Sequence, residues 1–192
     1  LELCREYSAD VFRWFLLRAV AFGADGDFSR EMLLARYNSE LANGLGNLLS
    51  RTTNMVGRYF DGRLPPADAC GDVEMPVRQA AETLWSEAAG LVASCRLHAY
   101  LERIWDLVDA TNRYIEVTQP FRLARDPSQC GRLPTILYTC SEAVRLALVY
   151  LWPVMPATAD AGMAQLGFHR GALTLDEAGR WGILQPGTRV VK

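Results

Sequence analysis

Asn43, Asn47 and Arg51 follow one another at four-residue spacing in the stretch RYNSELANGLGNLLSRT, residues 36–52. On a helix turning about 100° per residue, each such step drifts by only about 40°, so the three groups form one polar row. Leu41, Leu45, Leu48, Leu49, Met55, Val56 and Tyr59 fall on the opposite side of the same helix. A side-chain amide carries donors and an acceptor together, and a guanidinium presents five donors in a planar fork. That equipment suits hydrogen bonding to base edges or phosphates. A polar row is equally the solvated face of an amphipathic helix, so spacing alone does not decide between the two.

Groups that could do covalent chemistry do not converge. The two histidines, His98 and His169, belong to neither a Glu-x-x-His nor a His-x-x-x-His pair, which argues against di-iron-type bundle sites. Cys4, Cys70, Cys95, Cys130 and Cys140 are widely spaced and form no C-x-x-C pair. They indicate neither a disulfide framework nor a zinc site, and read as buried or incidental thiols in a reducing cytosol. There is no Gly-x-x-x-x-Gly-Lys loop and no Gly-x-Ser-x-Gly elbow. The chain is expected to hold no catalytic residue, metal or cofactor of its own.

The chain has 192 residues, 50% of them apolar, enough to bury one core without staples. Its formal net charge is −2, so a nucleic-acid partner would have to be met by a local patch. Lys192 is the only lysine, so nearly all positive charge is arginine. No run approaches the roughly 18 apolar residues of a membrane span, and the N-terminus carries no signal-peptide pattern. No membrane partner is expected, and the location is read as cytoplasmic. Leu1 already lies inside a helical pattern, so the chain reads as a fragment of something longer.

The elements that must position the row are helical. A first helix is predicted over 5–22, with Val11, Phe12, Phe15, Leu16 and Ala19 on one face, stopped by GADGD at 23–27. Ser29 is a good N-cap for a long second helix running to Tyr59, before the Asp61-Gly62 turn and a loop over 61–72. A third helix is predicted over 76–95 and a fourth over 97–118, ended by Pro120. A short helical turn and a fifth helix over 132–152 follow, with Pro134 in its first turn. A short helix over 157–166 and an irregular tail complete the chain. The fold class is therefore all-α, a bundle of about five main helices. The domain reading is a helical domain over 1–167, of which 1–28 is a connecting helix and turn, and a C-terminal tail over 168–192. Trp14, Trp85, Trp105 and Trp152 fall at core positions. Asn112 lies beside the Val108–Ile115 stripe as a candidate amide between helices. Gly44 and Gly46 weaken a helix interior, and one of them is read as a site of close helix packing.

The segment EYSADVFRWFLLRAVAFGADGDFS (6–29) resembles the piece that follows the Lys-Met-Ser-Lys-Ser loop in class I aminoacyl-tRNA synthetases, through Ser8, Ala9, Asp10, Arg13 and Leu16. Arg-Tyr-Asn-x-Glu-Leu-Ala-Asn-x-Leu-Gly-Asn-Leu-x-x-Arg, from Arg36 to Arg51, is similar to the bacterial-type methionyl-tRNA synthetase family. IWDLVDATNRYIEVTQPFRLARD (104–126), YTCSEAVRLALVYLWPVMPATA (138–159) and RWGILQPGTRV (180–190) extend the resemblance to nearly the whole chain.

The resemblance implies the C-terminal helical anticodon-binding domain of that family, with a catalytic domain of the same polypeptide as one partner and a methionine-acceptor tRNA bearing a CAU anticodon as the other. ATP with Mg, and any zinc, would belong to the catalytic domain. Asn47 and Arg51 match family residues that bond anticodon bases, with Asn43 one turn earlier. Asp109 matches an acidic residue of the same site and is expected to hold the Arg51 guanidinium. Asn112 and Arg113 are supporting candidates; Asp109 and Arg113 also form an ordinary i,i+4 helix pair. Phe121 stands where the family has a base-stacking tryptophan, a departure that touches binding strength more than the site. The tail is expected to fold back on the catalytic domain. The alternative is a helical structural domain of another class I synthetase without CAU readout.

Overall fold

The computed structural model describes residues 6–67, 70–126 and 130–191; Cys4 and Lys192 lie outside these. The helices are α1 (Ala9–Ala19), α2 (Arg30–Arg36), a π-helical segment (Tyr37–Gly46), α3 (Asn47–Tyr59), α4 (Met75–Ala93) and α5 (Leu97–Thr118). After them come α6 (Pro120–Leu123), a 3-10 turn (Cys130–Arg132), α7 (Leu133–Leu151), α8 (Pro156–Gln165) and α9 (Leu175–Ala178). Among the described residues no strand forms; one antiparallel bridge pairs Arg63 with Arg189. No helix of the described residues is long and apolar enough to cross a membrane.

The centre is α7. Every residue from Thr139 to Leu151 is buried, and a helix hidden all round needs neighbours on every side. Helices α3, α4, α5 and α8 supply them. Leu101, Ile104, Trp105, Val108 and Ile115 of α5 are all buried, as the three-and-four spacing predicts. Helix α5 stops because Gln119 takes a left-handed conformation (φ 45°) ahead of Pro120, whose ring cannot continue the i→i−4 ladder. Two sequence expectations are corrected. Trp85 is 42% exposed and donates its indole N–H to Asp176 Oδ1 at 3.1 Å, whereas Trp14 and Trp105 are buried with ring centres 5.5 Å apart and planes tilted by 35°. The first helix also ends at Ala19, because Val20 is extended and lies against Gly26, where a Cβ would approach its side chain to 2.2 Å.

The Ser8–Asp10–Arg13 motif is a clamp. The Ser8 hydroxyl caps α1 by accepting from Val11 N–H at 3.4 Å. Asp10 Oδ2 accepts from the Thr158 N–H at 2.9 Å and its hydroxyl at 3.1 Å, satisfying a free donor in the first turn of α8. Arg13 donates to Val154 O at 2.6 Å. One short motif thus fastens α1 to the α7–α8 corner.

The tail is mostly irregular, as expected, and is fixed to the bundle by named contacts. Arg145 and Glu142 of α7 are wholly buried and pair at 2.6 Å. Arg145 also donates to the carbonyls of Ala178 and, at 2.6 Å, Arg180, while Glu142 accepts from Leu184 N–H. Tyr138 donates to Leu184 O at 2.9 Å, and the Arg78 guanidinium lies 4.5 Å from the Trp181 ring centre. Val190 N–H then reaches Gly62 O at 2.8 Å.

Candidate nucleic-acid interface

The predicted second helix forms one rod, but its middle is not α. Ser29 caps it as expected, accepting from Met32 N–H at 3.1 Å. Helix α2 gives way to ten residues of π-helix before α3 resumes. The changeover falls on Asn47, whose N–H is shared between Ala42 O and Gly44 O. Asn43 and Asn47 are exposed and Arg51 is half-buried. Leu45, Leu48 and Val56 are buried on the other side, with Leu41, Leu49, Met55 and Tyr59 packed at the margin. Among the described residues no hydrogen bond or ion pair engages the side chains of Asn43, Asn47 or Arg51. Their donors and acceptors are free for a ligand.

Helix α5 lies against this rod. Gly44 faces α5, but a Cβ there would lie 3.8 Å from Trp105 Nε1 and 3.9 Å from Val108, ordinary contact distances, so the packing does not itself demand glycine. Asn112 donates to Gly44 O at 3.5 Å, so it is the inter-helix amide expected from its position. Earlier in the rod, Glu40 accepts from Arg36 at 2.8 Å and from Arg18 of α1 at 3.0 Å, and Arg18 reaches Glu102 at 3.4 Å. The i,i+4 spacing could have disclosed Arg36–Glu40; nothing local discloses Arg18.

The contact advances along both elements together, from Glu40 beside Asp109 to Gly44 beside Asn112. Further on, Arg51 acts on Cys140 of α7, which in turn adds to the raised pKa of Tyr114 on α5. Burial pushes the Cys140 thiol up to about 12, against the pull of Arg51. Beyond the contact with the rod lies the C-terminal end of α5. There Gln119 and the buried Pro120 turn the chain and leave Phe121 44% exposed.

Asp109 does not clamp Arg51. Among the described residues no ion pair or hydrogen bond joins the two. Burial holds the Asp109 carboxyl above the ordinary aspartate range; Asp106 and Glu40 add to the shift, while Arg113 and Arg18 oppose it. Asp109 therefore belongs to the Arg18–Glu40 neighbourhood, and Arg113 is exposed on the same helix. Arg51 rests beside α7 instead, because the rod passes over α7 after the π segment. Among the described residues no three His, Cys, Asp or Glu side chains gather to hold a metal ion.

The family model described as tRNA synthetases class I (M) matches residues 1–53. A methionine–tRNA ligase of Caldanaerobacter subterraneus subsp. tengcongensis is 42% identical over 98% of this chain and 30% of its own length. That of Streptomyces coelicolor is 41% identical over 100% of this chain and 37% of its own. The apo crystal structure of Mycobacterium tuberculosis methionyl-tRNA synthetase superposes with a TM-score of 0.93 at 34% identity, covering 100% of this chain and 38% of that one. The chain therefore spans about a third of the length of these relatives. Mainly helical and aligned end to end with one part of those enzymes, the chain belongs to the methionyl-tRNA synthetase family.

Proposed function

We propose that this chain is the tRNA anticodon-reading domain of a cytoplasmic methionine–tRNA ligase. It holds the CAU loop so that the acceptor end reaches a catalytic domain elsewhere in the polypeptide, to which ATP with Mg, and any zinc, are assigned. The observation that carries this reading is the row of exposed Asn43 and Asn47 and half-buried Arg51. No hydrogen bond or ion pair among the described residues engages the three side chains, and Phe121 is exposed at the turn after α5.

The chemistry follows from the groups. Unstacked loop bases expose their Watson–Crick edges, which amides can read as donor and acceptor at once. The half-buried Arg51 side chain offers a guanidinium for a charge-assisted bond, which is stronger than a neutral one. Phe121 offers a stacking face, typically worth about 1–3 kcal/mol per base. Asp109, on α5, interacts with Arg113 of the same helix and with the Arg18–Glu40 neighbourhood before the row. Asn112 supports the row from beneath.

The test is binding of the chain to labelled stem-loops carrying CAU or one altered base, at low and moderate salt. Arg51→Ala is expected to abolish the preference for CAU while sparing salt-sensitive, sequence-blind binding. Phe121→Ala is expected to weaken all loops by about tenfold or more, since stacking is sequence-tolerant. Equal binding of every loop by the wild type would leave a helical scaffold without CAU readout.

A further inference from the structure

We propose that the π segment is a register device for the reading row, held by Gly46 and Asn112 as positioning residues. This rests on Asn43, Asn47 and Arg51 being anticodon contacts. In an all-α rod two four-residue steps would carry Arg51 about 80° around the axis from Asn43. In a π turn the carbonyl reaches the fifth amide onward, so four residues fall short of a full turn. The step from Asn43 to Asn47 lies in the π segment and the step from Asn47 to Arg51 lies in α3. Shortfall then offsets overshoot, and the three side chains leave the axis in closer alignment than a uniform α-helix permits.

Several contacts hold this register. The bonding pattern switches at Asn47 itself, whose N–H divides between Ala42 O, five residues back, and Gly44 O, three back. Gly44 O also accepts from Asn112 Nδ2 at 3.5 Å, which ties the changeover to α5. Glu40 is held by Arg18 and Arg36 a turn earlier. A Cβ on Gly46 would lie 3.0 Å from Leu41 O, the carbonyl five residues back. Alanine there presses against the π register and favours a return to α, which swings Asn43 out of line. Gly57 of α3 has nothing within 4 Å of a Cβ and serves as a control on the same rod.

The experiment compares the wild-type chain with Gly46→Ala, Asn112→Ala, Asn112→Asp and Gly57→Ala. Each is tested for affinity to the CAU stem-loop and to loops with one base altered, and for thermal unfolding. Gly46→Ala and Asn112→Ala are expected to cut the CAU preference by about tenfold, with affinity for altered loops changed by less than about threefold. Asn112→Asp, which cannot donate, is expected to behave as Asn112→Ala. Gly57→Ala is expected to keep the preference. A merely structural role would lower the melting temperature and weaken every loop alike, leaving the ratio intact; that result overturns the proposal. So does unchanged preference in both positioning variants while Arg51→Ala loses it, an outcome that leaves anticodon reading standing. A wild-type chain with no CAU preference overturns both. If Gly46→Ala does not fold, the two Asn112 variants decide.

Discussion

Glu74 is buried beneath the loop ahead of α4 and accepts from Tyr114 at 2.6 Å, Arg132 at 2.7 Å and Gly71 N–H at 2.8 Å. Burial works to raise its pKa, but the Tyr114 and Gly71 bonds with the Arg132 charge outweigh it and hold the carboxyl below its ordinary range. A depressed carboxylate contributes stability above its unfolded value, about 4.3, and loses it as pH falls through the folded value. Glu74→Gln is therefore expected to destabilise the chain by about 1–3 kcal/mol at neutral pH. The gap to wild type should begin to close as pH falls below the unfolded value, about 4.3, and close fully only below the lower folded value, where the wild-type residue is itself protonated. Thermal unfolding of both proteins across the acid range reads this directly, and a gap constant with pH would contradict it. Asp109 has the opposite sign: its raised pKa makes its ionised form a cost at neutral pH that is relieved on acidification.

Among the elements, those built on apolar spacing were legible in the sequence, and those built on backbone atoms were not. The stripe on α5, the Ser29 cap and the stop at Pro120 all stand where three-and-four spacing and turn chemistry put them. The π segment was hidden, because Leu41, Leu45 and Leu48 satisfy an apolar face at either pitch. The alignment of Asn43 with Arg51 and the separation of Arg51 from Asp109 were hidden with it. Of the site, residue types and rough placement were readable, whereas contacts between helices such as Asn112 to Gly44 O needed the fold. Asp10 shows the same divide: its motif was visible, but its bond to the first turn of α8 was not. Asp10→Ala is expected to cost about 0.5–2 kcal/mol, as other lost helix caps do. A thermal midpoint lowered by about 1–8 °C is the measurement that follows.

At the scale of the whole molecule, the buried Arg145–Glu142 pair joins the tail to the central helix. Removing one partner leaves the other charge buried and unpaired, so Arg145→Met is expected to cost about 3–5 kcal/mol. Removing both charges, in Arg145→Met with Glu142→Leu, is expected to cost less than the single change. Denaturant unfolding gives the two costs, and limited proteolysis between Leu175 and Leu184 reports whether the tail has come loose. The same arrangement orders events in time. A polypeptide is made from its N-terminus, and α7 emerges before the acceptors and donor it requires at Ala178, Arg180 and Leu184. Until those residues leave the ribosome the two central charges have only each other, water and, for Arg145, the Phe168 ring, so the core of this domain closes fully only after residues up to Leu184 have been born.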